Sequence, residues 1–296
     1  MDVIKTSAFC SLTRKQELDC LTIQHPKFAA EFCLQGAQLT QFQATNKQPL
    51  IWLSPTAEYK GGSSVRGGIP VCWPWFGALH KNPESVQRTL GSSDQAHGFA
   101  RTALWTIKEL QESCHEISVT FELTHNEDTL KIWPQPFRLT LVATLSNHIE
   151  LSLICENLSD ETWHISQALH TYFPVDSIHD CRIVGAHRQT YIDALDEWKE
   201  KQQQGNIKIG EEVDRLYFGK SDYRIATSEQ TIRVQSNSNS SVIWNPWIEK
   251  STRLSQFPNQ AYKNMLCIES ANVMHDCITL APAESHTLQV TIQGDT

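Results

Sequence analysis

The sequence predicts an all-β protein, a large antiparallel β-sandwich with few short helices. Three observations carry that reading. Apolar and polar residues alternate with period two in segment after segment, turn-type residues separate these segments at hairpin length, and no strand–helix–strand alternation occurs. The chain has 296 residues, of which 40% are hydrophobic. Single all-β domains commonly reach ~200 to 250 residues, so one domain spanning residues 1–296 is expected, with no internal repeat or low-complexity linker to divide it.

Taken in chain order, the strand candidates are Glu116–Thr124 (EISVTFELT), Phe137–Leu145 (FRLTLVATL), Ile149–Cys155 (IELSLIC), Thr162–Phe173, Thr231–Gln235, Ser241–Asn245 and Thr287–Gln293. SNH between Leu145 and Ile149, and ENLSDE between Cys155 and Thr162, predict an antiparallel meander through Phe137–Phe173. Ser236–Ser241 (SNSNSS) reads as a hairpin turn. The best helix candidate is Tyr191–Gln204, stopped by Gly205, although its charged end also suits an exposed loop.

Composition narrows the function. A formal net charge of -8 without a basic half disfavours nucleic acid and anionic membranes as partners. The N-terminal segment lacks the apolar run of a signal peptide, and no stretch of ~18 apolar residues could span a bilayer, so a soluble cytoplasmic protein is expected. Nine cysteines without a CxxC pair read as buried thiols rather than disulfides or a zinc cage. With no heptad or exposed apolar helix, a monomer is expected.

Four separated segments concentrate residues of the kind that sites use: RGGIPVCWPWFG (Arg66–Gly77), AHGFAR (Ala96–Arg101), QALHTYF (Gln167–Phe173) and CIESANV (Cys267–Val273). Glycines at Arg66–Gly77 and at Gly98 permit close backbone approach to a ligand, and prolines stiffen a loop that presents Arg66 and the indoles; a turn with Trp73 and Trp75 as packing is the alternative. Arg66 and Arg101 are fixed positive forks that suit a phosphate, with His97 as a further donor. On a continuous strand His164 and His170 would lie ~20 Å apart and could not share a metal. His170 then acts singly, either as a proton donor or as a core residue bonded to backbone. Glu269 enters an apolar strand end, where a carboxylate is unfavourable unless it is paired or functional. Asp214 and Arg215 in VDRLY either bind sugar hydroxyls or form a surface ion pair.

As an ordered set, these segments, with VDRLY and the IWNP at Ile243–Pro246, resemble the aldose 1-epimerase superfamily and its hexose-6-phosphate mutarotase branch over roughly residues 50–273. The resemblance implies a galactose-mutarotase type β-sandwich without cofactor or metal. It implies interconversion of the α and β anomers of hexose 6-phosphates, glucose 6-phosphate foremost, so that the partner is a small sugar phosphate. It implies His170 as general acid, Glu269 as general base, and Arg66, His97, Arg101 and Asp214 as substrate-binding residues. In one departure, Ala96 precedes His97 where some members carry Gln.

The chemistry suits these residues. Ring opening removes the proton of the carbon-1 hydroxyl and protonates the ring oxygen, and reclosure reverses both transfers. His170 is expected to be cationic in the resting enzyme, and Ser177–Thr190 is a loop that could read hydroxyl orientation. Three rivals are a glycosidase using Glu269 with Asp214, a Cys72 nucleophile paired with His97, and a noncatalytic carbohydrate-binding module built on the nine tryptophans.

Overall fold

The computed structural model describes residues 7–295. Strands begin almost at once: β1 (Cys10–Lys15), β2 (Leu18–His25), β3 (Phe28–Cys33) and β4 (Gln38–Ala44) form an antiparallel meander in chain order. Only Val71–Cys72 of the Arg66–Gly77 segment is strand, β5. After α1 (Glu84–Leu90) come β6 (Thr106–Glu112), β7 (Ile117–Thr124), α2 (Glu127–Ile132), β8 (Phe137–Leu145) and β9 (His148–Asn157). The alternation read from FRLTLVATL becomes burial, since Phe137, Leu139, Leu141, Ala143 and Leu145 turn inward while the residues between them stay half-exposed. The hairpin between β8 and β9 forms as expected, with Leu145 opposite Ile149.

Beyond β9 the expected meander ends. The segment read as one strand is split at Ser166 into β10 (Trp163–Ile165) and β11 (Gln167–Pro174). Ser166 accepts a bond from the Phe76 amide and donates to the Asn82 side chain, which ties the break to the Arg66–Gly77 loop. The chain continues through β12 (Arg182–Val184), β13 (Thr190–Asp193), β14 (Lys199–Gln202), β15 (Val213–Phe218), β16 (Asp222–Ala226), β17 (Thr231–Ser236) and β18 (Ser240–Asn245). It ends with α3 (Trp247–Ser251), β19 (Met265–Asn272), β20 (Ile278–Leu280) and β21 (Ser285–Asp295).

Two readings are corrected here. Tyr191–Gln204 is no helix but the hairpin β13–β14, in which Asp193 pairs with Lys199. The helix-like spacing of Tyr191, Ala194, Leu195 and Trp198 misleads, because Tyr191 and Asp193 are buried on one side of a strand. Lys199–Gln202 is a charged edge strand, a composition that suits an unpaired sheet edge. Likewise Ser236–Ser241 is no hairpin turn, since β17 and β18 belong to different sheets.

Those sheets are the two layers. An eight-stranded sheet runs β12-β16-β17-β21-β9-β8-β7-β6 and a seven-stranded sheet runs β14-β13-β15-β18-β19-β11-β5, with every strand pair antiparallel. One hydrophobic cluster draws from both, including Leu139, Leu141 and Leu153 from the first and Leu169, Phe173, Ile243 and Ile268 from the second. This is the predicted all-β sandwich. Every residue of β18 and β19 is buried, which suits the apolar runs Val242–Trp244 and Met265–Ile268 within them. One face of these strands meets the core, and the other is the floor of a cavity.

Candidate active site

Pairing register places the site. His170 on β11 lies directly across from Glu269 on β19, and Val242 and Leu216 continue the same row. Side chains two residues along a strand return to the same face, roughly 7 Å away. The next row is therefore Tyr172, Cys267, Trp244 and Asp214, and on the other side lie Ala168, Ala271, Ser240 and Phe218. His170, Glu269, Asp214, Arg66 and His97 all line one cavity of about 340 Å³. Five of the six expected site residues thus converge.

At its centre His170 Nε2 stands 3.3 Å from Glu269 Oε1. Burial, reinforced by the positive charges of Arg101 and Arg66, lowers His170 to about 3. Burial, with help from Asp214, raises Glu269 well above the usual carboxylate range. Each group is pushed toward its uncharged form, so the pair holds one proton over a wide pH range. This corrects the expectation of a separately cationic His170. His170 Nδ1 and Glu269 Oε2 are buried without a hydrogen-bond partner among the described residues, an uncommon state for buried polar atoms.

His97 is neutral as well, held well below the usual imidazole value by burial and by Arg101. Its Nδ1 accepts from the Gly77 amide at 3.2 Å, which leaves the proton on Nε2 as a fixed donor. Its backbone is left-handed, at φ 64°, and its ring meets that of His170 edge-on at 5.7 Å. Burial, partly offset by Lys250, raises Asp214. Lys250 Nζ lies 3.7 Å from Asp214 and 3.0 Å from Glu212.

Arg66 is a half-buried cation of the site. It donates to the Ser255 carbonyl and to the Tyr172 hydroxyl, both at 3.3 Å, and makes no ion pair among the described residues. Arg101 departs from expectation. It is not among the residues lining the cavity, and its Nη2 donates to the Ala96 carbonyl at 2.7 Å. It acts on the site through its charge, lowering His97 and His170.

Other readings are also corrected. Trp73 and Trp75 are fully buried packing residues. Gly67, Gly68 and Gly98 serve backbone packing rather than ligand approach, for a Cβ on Gly98 would fall 2.0 Å from the Trp73 carbonyl oxygen, whereas Gly77 lines the cavity. Burial raises the Cys72 thiol far above its usual value, which removes it as a nucleophile. None of residues 177–190 lines the cavity. All nine cysteines are free, and all but Cys114 and Cys277 are buried.

Several lining residues escaped the sequence. Tyr172 stacks on His170, with centroids 4.9 Å apart and planes at 13°, and period two along β11 would have found it. Trp244 stands edge-on to both rings. Lys250 on α3, Lys81 and Trp198 also line the cavity and carry no local sequence signal.

Residues 19–293 match the sequence profile of the family described as aldose 1-epimerase. The chain belongs to that family. It is a sugar epimerase, an isomerase, rather than a noncatalytic binding module. An Escherichia coli K12 protein provisionally named glucose-6-phosphate 1-epimerase is 34% identical over 272 residues, covering 90% of this chain and 87% of its own. A Cenchrus ciliaris protein of the same provisional name is 33% identical, covering 86% and 78%. A Salmonella typhimurium crystal structure, provisionally a mutarotase (YeaD), superposes with TM-score 0.89 at 27% identity over 99% of this epimerase and 95% of that chain. The antiparallel sandwich is thus the galactose-mutarotase fold. No helix among the described residues is long and apolar enough to cross a membrane.

Proposed function

We propose that this epimerase interconverts the α and β anomers of hexose 6-phosphates, glucose 6-phosphate foremost, with Glu269 and His170 as the proton-transferring pair. One observation carries the reading: His170 and Glu269 face each other at 3.3 Å in one cavity with Arg66, which makes no ion pair among the described residues.

The proton shared by the pair sits on His170 when substrate binds, leaving Glu269 as a carboxylate. Glu269 takes the proton of the carbon-1 hydroxyl while His170 protonates the ring oxygen, and the carbon–oxygen bond of the ring breaks to give the open aldehyde. Rotation about the bond between carbons 1 and 2 presents the other carbonyl face. Reclosure returns both protons, so the pair ends as it began and needs no external acid or base. The neutral His97 donates to a sugar oxygen, and Asp214 accepts from a hydroxyl. Arg66 meets the phosphate, and Lys250 adds positive charge beside it. Binding energy from this nonreacting group then orients carbon 1 between the two catalytic side chains.

The test is anomer exchange of glucose 6-phosphate and of free glucose by NMR magnetisation transfer, with Arg66→Gln, His170→Asn and Glu269→Gln variants. Faster exchange of the phosphorylated sugar is expected, abolished in the last two variants. Arg66→Gln should raise KM for glucose 6-phosphate about tenfold or more and leave free glucose unaffected, the removal of a charged hydrogen bond being worth ~1.5 to 3 kcal/mol. Acceleration of free glucose alone would reject the phosphate assignment.

A further inference from the structure

The turn between β13 and β14 is built from residues that disfavour it. The Lys199 amide donates to the Asp196 carbonyl at 3.0 Å, closing a four-residue turn. Its two central residues, Glu197 and Trp198, have φ of 52° and 59°. Such paired left-handed residues define the type I′ hairpin turn, which Asn-Gly fills most readily. A bulky residue held in that region is strained, and strain of this kind clusters where it serves a ligand.

Trp198 is also no core residue. It is half-buried and lines the cavity, packed against the rim of the apolar patch formed by Leu216, Val242 and Ala271. Leu216 and Val242 continue the His170–Glu269 row and Ala271 lies in the row beyond it, whereas Tyr172, to which Arg66 donates, lies in the row on the other side and belongs to a separate apolar cluster. Lys81 Nζ sits 5.6 Å from the Trp198 ring centroid, lines the cavity too and makes no ion pair among the described residues. An aromatic face steadied by a cation therefore stands at the end of the cavity away from Arg66.

We propose that Trp198 is a specificity-determining residue that contacts the sugar ring. The inference rests on the hexose-phosphate reading above. With the phosphate at Arg66 and carbon 1 at the catalytic pair, the far end of the cavity receives ring carbons 2 to 4, whose hydroxyl orientations separate glucose, mannose and galactose. An indole stacks on apolar C–H faces and excludes the wrongly oriented hydroxyl, while Lys81 holds the indole in place and donates to hydroxyls beside it.

Three variants test this. Trp198→Asn keeps a residue that tolerates the left-handed turn but removes the indole, Trp198→Phe keeps an aromatic face, and Glu197→Gly relieves strain at an exposed position without touching the cavity. Dissociation constants for glucose, mannose and galactose 6-phosphates are measured by calorimetry, alongside anomer exchange and thermal unfolding. Trp198→Asn should weaken binding about tenfold and narrow the spread among the three sugars, with most of both restored in Trp198→Phe. Glu197→Gly should raise Tm by about 2 °C with unchanged affinity. A lowered Tm in Trp198→Asn with affinities and their ratios intact would make Trp198 structural and overturn the proposal. If the wild type binds the sugars without exchanging anomers, only the catalytic reading fails, and Trp198 is judged by the affinities. If it binds none of them, both fall.

Discussion

At the scale of single residues, the site sets stability against chemistry. Glu269 must give and take a proton, and it sits where burial raises its affinity for one. A carboxyl raised in the folded state contributes stability that is full below its unfolded value of 4.5 and is lost as pH rises above it. At neutral pH the group therefore weakens the fold, and Glu269→Gln, of the same shape and without charge, is expected to raise Tm there while kcat falls ~10²- to 10⁴-fold. Thermal melting and NMR exchange at pH 7 check the two halves, and a fall in both would show that an ionised Glu269 supports the structure. His170 gives a second expectation. Because burial and the arginines hold it near 3, kcat should show no inflection near the ordinary imidazole value of 6.5. An acid or basic limb centred there would restore a freely titrating histidine.

At the scale of elements, legibility follows how local the determining force is. β8 and β9 are readable because one face of each meets the core, so burial repeats with period two in the sequence itself. The break at Ser166 is not readable, since it depends on bonds to Phe76 and Asn82, distant in the chain. The hairpin β13–β14 is masked by helix-like spacing and by a turn that lacks the usual Asn-Gly. For the site, His170 and Glu269 announce themselves as polar residues in apolar strands, whereas Arg101 looks like a ligand residue yet only its charge reaches the catalytic pair. Gly98 shows how the HGFAR segment gains its shape. Its φ is 65° and a Cβ would meet the backbone of Trp73, so Gly98→Ala must displace that crossing. A loss of roughly 2 kcal/mol or more in urea unfolding is expected, with reduced activity because His97, the adjacent donor, shifts with it. An unchanged unfolding midpoint would mean that the close approach is not what fixes this segment.

At the scale of the whole molecule, the catalytic pair should be visible in the pH dependence of global stability. His170, lowered in the folded state to about 3, contributes stability that is full above 6.5 and is lost as pH falls from there. Glu269, raised, contributes stability that is lost as pH rises from 4.5. Between 4.5 and 6.5 the two trends cancel, because folded and unfolded chains each hold one proton on this pair. Below 4.5 the unfolded chain binds a second proton that the folded pair refuses until about 3, and above 6.5 it releases one that the folded pair keeps. The stability of wild type minus that of a His170→Asn/Glu269→Gln variant should thus be level in the middle and fall on both sides. At ~1.4 kcal/mol per proton per pH unit, the acid side should lose about 2 kcal/mol by pH 3. Urea unfolding across pH measures this difference, and a profile level throughout would show the two groups titrating as they do in the unfolded chain. Linkage counts the proton of the pair without locating it. The Tm of Glu269→Gln locates it, since a neutral replacement stabilises the fold only where the resting carboxyl, rather than the imidazole, carries the proton.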